Sequence, residues 1–110
     1  MDKSLVELTA SEVVEGLKKG EISPLELISA AEARILETEP AINALPTLCL
    51  ERARAQAKAL MEKERHGSEN NRGWLAGLPV AIKDLTDVAG VRTTYGSTIF
   101  KDHIPKTSHP

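Results

Sequence analysis

The sequence is poor in cysteine, in aromatic residues and in long apolar runs. Cys49 is the one cysteine, so no disulfide can close within the chain, which fits a reducing compartment. Trp74, Tyr95 and Phe100 are the only aromatic residues, too few for a platform on which nucleic-acid bases stack. No apolar run approaches the ~20 residues that a membrane span needs. The start, Met1-Asp2-Lys3-Ser4, leads into no apolar core of a secretory signal. A formal net charge of −2 offers no basic surface to nucleic acid or to an anionic membrane. His66, His103, His109 and Cys49 lack the spacing of a metal-ligand set. Gly73-Trp74-Leu75-Ala76-Gly77 lacks the Gly-Lys-Ser/Thr of a phosphate loop. There is no internal repeat and no low-complexity segment. These exclusions leave a soluble cytoplasmic protein as the expectation, with no metal site indicated by spacing.

What is present is mostly helical. Thr9-Ala10-Ser11-Glu12 has the pattern of a capping box, in which a Thr oxygen and a Glu carboxylate satisfy free amides at a helix start. Ala10, Val13, Val14 and Leu17 then fall on one face, and Lys18-Lys19-Gly20 closes the helix. Ser23-Pro24-Leu25-Glu26 repeats the start signal, with proline at the first helical position. Leu27, Ile28, Ala31 and Ile35 form the apolar stripe of this second helix, and Pro40 predicts its end. Ile42 to Leu48, interrupted by Pro46, reads as an edge strand or an extended connection. A third helix is predicted from Leu50 to about Arg65, burying Ala53, Ala57, Leu60 and Met61 and ending at His66-Gly67. Ser68 to Gly73 reads as a loop, and Cys49 as a small apolar residue near a helix start.

The densest segment is Gly77-Leu78-Pro79-Val80-Ala81-Ile82-Lys83-Asp84. Leu78 to Ile82 is short, apolar and bounded by Gly77 and Asp84, as a buried strand is. Strand alternation sets Lys83 on the face opposite Leu78, Val80 and Ile82, beside Pro79 and Ala81. If both faces are covered, the ammonium is drawn out of water, which favours its neutral, basic form. On chemistry alone the commoner state is a solvated lysine, or one paired with Asp84 or Asp87, since lysines are rarely buried. Asp84 could steady Lys83 or cap the next turn. Ser97, after Gly96, reads as a turn residue; Arg92 and Thr93 could touch substrate but read first as surface residues. From Asp84 to Pro110 the chain shows no period of 2 or 3.6. Such a long irregular stretch is uncommon inside a compact domain. One strand is also too little sheet for three helices to cover. The pattern therefore predicts a piece of a larger fold, with apolar surface left open and prone to aggregation.

Three pieces in order give this region its specificity: Gly77-Leu78-Pro79-Val80-Ala81-Ile82-Lys83-Asp84, then Asp87-Val88-Ala89-Gly90, then Thr93-Thr94-Tyr95-Gly96-Ser97. Together they closely resemble the amidase-signature family. The helical lead-in, including Ser-Pro-x-Glu and Ile-Asn-Ala, is similar to that family too, so the resemblance covers nearly the whole chain. It implies an α/β fold, a mixed sheet flanked by helices. Residues 1–110 would be the N-terminal part of one such domain: helical over 9–66, a strand with the lysine over 75–84, and an irregular tail over 85–110. It also implies a Ser–cis-Ser–Lys triad, in which Lys83 is the catalytic base at the end of the relay. The family's serines stand in a Gly-Gly-Ser-Ser-Gly-Gly type segment, and none occurs before Pro110. The 110 residues alone are therefore expected to be inactive.

The activity implied by the resemblance is hydrolysis of carbon–nitrogen amide bonds in a small-molecule amide, without metal or organic cofactor. The substrate-binding residues are unknown. The alternative within the family is the glutamine-hydrolysing component of an aminoacyl-tRNA amidotransferase, its A chain, which supplies ammonia to a partner. Assembly as a homodimer or in an amidotransferase complex would follow, with no nucleic-acid contact by this segment. An alternative of another class is a non-catalytic helical interaction module, which suits residues 9 to 66 but gives Gly77 to Ser97 no role.

Overall fold

A computed structural model describes residues 4–64 and 73–110. Among the described residues, four helices carry the first part of the chain: α1 (Ser4–Glu7), α2 (Ala10–Lys18), α3 (Pro24–Ile42) and α4 (Leu50–Glu64). A single 3₁₀ turn, Thr98–Phe100, follows. Two compact units can be distinguished, one comprising residues 1–44 and 50–79, the other 45–49 and 80–110.

The helix boundaries are set by local chemistry. At α2 the Thr9 amide donates to Glu12 Oε2 at 2.7 Å, and the Glu12 amide donates to Thr9 Oγ1 at 3.2 Å. Ser23 and Glu26 repeat this reciprocal pair at α3, at 2.9 and 3.1 Å. Each pair satisfies two of the amides that a helix start leaves without intrahelical partners. The end of α2 is as well defined. Gly20 takes a positive φ of 74°, its amide donates to Leu17 O at 3.1 Å, and the Glu21 amide donates to Gly16 O at 2.9 Å. These are the two bonds of a Schellman motif.

Contrary to the expectation from the sequence, Pro40 does not end α3. The helix runs through it to Ile42 and stops at Asn43, which is left-handed at φ 52° and donates to Glu39 O. Proline lacks the N–H that the carbonyl of Leu36 would accept. Leu36 is exposed, so water can serve that carbonyl, and the cost of continuing for one more turn is small. The helix α1 was not legible either, because one turn carries no readable period.

Val13, Leu17, Leu27 and Ala76 form the core of the helical unit, with Leu5, Val14, Ile22, Trp74 and Leu78 packed against it. Leu27, Ile28 and Ala57 are buried, as the helical stripes predict, and Ala30 joins them. Ala31, Ile35, Ala53, Leu60 and Met61 are half-buried, while Ala10 is exposed. Arg54 of α4 pairs with Glu32 of α3. The chain returns to this core after α4 through a tight turn in which the Leu78 amide donates to Leu75 O at 3.0 Å. Both central residues have positive φ, 57° at Ala76 and 102° at Gly77, the sign pattern of a type I′ turn. Ala76 is only 2% exposed, so burial of its methyl group offsets the cost of that conformation.

No strand occurs among the described residues; an isolated bridge between Val88 and Val91 is the one β pairing found there. This corrects the expectation of a strand in 75–84 and of first strands of a sheet. The apolar run is present, but a strand exists only when its amides and carbonyls find a neighbour. Val80 and Ile82 stand 63% and 56% exposed, without the cover on both faces that a buried strand requires. Ile42 to Leu48 is likewise no strand: Ile42 closes α3 and the rest is a connection. The α/β class stays an expectation for the larger fold. His66-Gly67 and the loop residues 68–72 lie outside the described residues.

Gly77 is the position where backbone and packing both demand glycine. A Cβ there would lie 2.6 Å from Pro24 Cγ and 3.1 Å from Leu60 Cδ2. Gly77→Ala is expected to destabilise the chain by about 2 kcal/mol or more, from overpacking and a disfavoured φ together. The emission of Trp74, followed through a thermal melt, measures the loss.

Candidate functional site

Lys83 begins a hydrogen-bonded turn: its carbonyl accepts from the Thr86 amide at 2.9 Å. Its side chain is exposed and forms no hydrogen bond or ion pair among the described residues. The partners that the sequence offered for it, Asp84 and Asp87, are both engaged elsewhere.

Asp84 accepts from both donors of Thr94. The Thr94 amide reaches Oδ1 at 2.8 Å, and the Thr94 hydroxyl donates to Oδ2. These bonds, side chain first and amide second, hold the Asp84 carboxyl below its ordinary value, with the nearby positive charge of Arg92 helping. Two donated hydrogen bonds stabilise the ionised form, as expected for a carboxylate met by fixed donors. Asp84 therefore neither pairs with Lys83 nor caps the turn after it. It ties the lysine turn to the Thr93-Thr94-Tyr95-Gly96-Ser97 stretch ten residues on.

Asp87 accepts from the Tyr95 hydroxyl, and His103 Nε2 lies 3.4 Å from the same hydroxyl oxygen. The Tyr95 phenol is pushed above its usual range, first by the bond it donates to Asp87, then by partial burial and the charges of Asp87 and Asp84. A phenolate facing two carboxylates is disfavoured, so the proton stays on oxygen. Tyr95, Phe100 and His103 form a ring cluster. Tyr95 and Phe100 meet edge to face with centroids 5.1 Å apart, and His103 stands 5.7 Å from Tyr95. The Tyr95 backbone is left-handed at φ 54°, and Gly96 follows at 72°, which lets the chain reverse sharply there.

The remaining residues of the stretch are structural. Thr93 is 2% exposed; its hydroxyl donates to Val91 O at 3.1 Å and its amide to His103 O at 3.0 Å. It is thus a core residue and not the surface residue that the sequence suggested. Arg92 donates to Lys101 O and, at 3.0 Å, to Thr47 Oγ1, joining the 45–49 connection to the loop. Ser97 accepts from the Ile99 amide at 3.2 Å, the turn role expected of it. Farther along, the Gly90 amide donates to Pro105 O, the His109 amide to Asp87 O, and the Ala89 amide to Ser108 Oγ. The tail is irregular but ordered by bonds that no periodicity announces. Spacings of eight and ten residues, as in Asp87–Tyr95 and Asp84–Thr94, belong to no repeating element, and the sequence carries no signal for them. No group of three or more histidine, cysteine or acidic residues among those described could hold a metal ion. Cys49 is free and exposed, and no described helix is long and apolar enough to cross a membrane.

Comparison with known proteins gives concordant results. The family model described as Amidase matches residues 26–109. The A chain of the glutamyl-tRNA(Gln) amidotransferase of Roseiflexus sp. (strain RS-1) is 40% identical over 101 residues, covering 92% of this chain and 20% of that protein. The protein of the same name from Natranaerobius thermophilus is 44% identical with the same coverage. The chain thus spans about a fifth of the length of these curated relatives. A solved structure from work on a vestigial protein complex and the evolutionary origins of an s-triazine catabolic enzyme superposes with a TM-score of 0.82. It is 34% identical, covering 92% of this chain and 22% of that one.

Two pH effects follow from the carboxylate pairs. The folded Asp84 carboxyl titrates below its ordinary value of 3.8. Its contribution is therefore complete above that value and is lost as pH falls through the lowered one. Protection of the Thr94 amide against hydrogen exchange, compared between about pH 5 and about pH 2, is expected to fall over that window. Tyr95 is the only tyrosine, so ultraviolet titration of the chain reads it directly. The midpoint is expected above 10.0, and Asp87→Asn is expected to move it back down. A midpoint at the ordinary value in both proteins would contradict the Asp87 bond.

Proposed function

The chain belongs to the amidase family, and from that premise we propose that Lys83 is the basic residue of an amide-hydrolysing site in the whole protein. The observation that carries this reading is the lysine's position. It stands within the matched residues 26–109, at the head of a turn tied to the Thr93–Ser97 stretch, with its ammonium unpaired among the described residues. A lysine meant only to balance charge would be expected to sit on Asp84 or Asp87.

In the Ser–cis-Ser–Lys scheme implied by the resemblance, the amine of Lys83 takes a proton from a bridging serine, which takes one from the nucleophilic serine. The nucleophile attacks the amide carbonyl while backbone amides hold the oxyanion. The nitrogen leaves protonated, and water then cleaves the acyl-enzyme by the same route in reverse. The serines must come within hydrogen-bond distance along the relay, the bridging one touching both Lys83 and the nucleophile. The 110 residues contain no Gly-Gly-Ser-Ser-Gly-Gly segment to supply them, so on their own they are expected to release no ammonia from any amide.

A second reading is favoured by the names of the relatives. Two proteins at 40% and 44% identity are A subunits of glutamyl-tRNA(Gln) amidotransferases, which favours a subunit of a complex; the amide that the resemblance implies for such a subunit is glutamine. Both readings use the same lysine and differ in substrate and partner. A cytoplasmic location suits either. The helical interaction module fits less well, since the family match runs through Gly77–Ser97, the stretch that reading leaves idle.

Ammonia release from simple amides and from glutamine, measured on the whole protein, tests both. Lys83→Ala is expected to lower kcat by on the order of 10³-fold or more on the true substrate, with the fold intact by circular dichroism. Lys83→Arg, permanently charged, is expected to be as inactive. Undiminished turnover by Lys83→Ala defeats the proposal. Activity on glutamine but not on simple amides selects the amidotransferase reading.

A further inference from the structure

Asp84 adjoins Lys83 in sequence, yet its carboxylate is turned to Thr94 and both its oxygens accept Thr94 donors. Left free, the carboxylate on the neighbouring residue would be a candidate partner for the ammonium. An opposite charge within about 4–6 Å stabilises the protonated amine by roughly 1–3 pH units, which is the wrong direction for a base. We propose that Thr94 is a positioning residue that holds the Asp84 carboxylate away from Lys83 and so keeps the lysine available as a base. The inference rests on the catalytic reading of Lys83 and goes beyond it by assigning a role to the Asp84–Thr94 pair.

The geometry suits that task. The clamp uses one backbone and one side-chain donor, so the carboxylate is fixed in both direction and rotation. Thr94 is itself 7% exposed, so water competes poorly for the bonds. The turn from Lys83 to Thr86 fixes the main chain on the other side. The charged and titratable groups around the pair are Arg92, whose positive charge acts on Asp84, and Tyr95 and Asp87, which are bonded to each other. Arg92 is tied to Lys101, Pro46 and Thr47 and Asp87 to Tyr95. Neither Arg92 nor Tyr95 is free to replace Thr94 as the carboxylate's partner.

The test is the pH dependence of kcat/KM in the whole protein, on whichever amide it hydrolyses. Thr94→Val keeps the shape and the backbone donor but removes the hydroxyl. It is expected to move the ascending limb about 1 pH unit to the alkaline side, with activity near neutrality about tenfold lower and recovered at higher pH. Thr94→Ser, which restores a hydroxyl, is expected to return the limb to its place. The double variant Asp84→Asn with Thr94→Val leaves no carboxylate to release. Its limb is expected at the wild-type position even where its rate is lower. If Thr94→Val does not fold, Thr94→Ala serves for the same comparison. A uniform loss of rate at every pH, with the limb unmoved in Thr94→Val, or a limb equally displaced in the double variant, overturns the proposal. Lys83→Ala, run in parallel, separates the two readings. Full activity there removes the catalytic premise, whereas an inactive Lys83→Ala beside an unmoved Thr94→Val limb removes only the role of the clamp.

Discussion

The second unit depends on hydrogen bonds that close its irregular loops, many of them made by charged or polar side chains. Asp84 on Thr94, Arg92 on Lys101 and Thr47, and Ser108 on Ala89 replace the ladders of a sheet. Each such bond adds about 1 kcal/mol of net stability in typical cases. Their larger effect is geometric: they reduce the many shapes open to the aperiodic residues 80–110 to one.

The helical unit works by other means. Its α2 and α3 open on reciprocal caps, α2 closes on a Schellman turn, and its small core is filled by Val13, Leu17, Leu27 and Ala76. The turn at Ala76 and Gly77 brings the chain back onto that core directly before the lysine segment, and glycine is required because Pro24 and Leu60 leave no room.

What was legible in the sequence follows this division. Caps, stripes and the close of α2 depend on residues three to five apart, so Thr9, Glu12, Ser23, Glu26 and Gly20 announced themselves. Lys83 was legible as a motif, not as geometry. The strand expected around it was not found, because pairing is a property of two segments and an apolar run shows only one of them. Pro40 falls in the last turn of α3, where the lost hydrogen bond costs little, so the helix passes through it to Ile42. The partners of Asp84 and Asp87 were invisible because a loop has no period that could reveal which residues meet.

The clamp joins residues ten apart, the tyrosine bond residues eight apart, and the capping boxes residues three apart. Contacts this near in sequence close quickly, since little chain entropy is lost in forming the loop. The lysine turn can therefore reach its final shape soon after it leaves the ribosome.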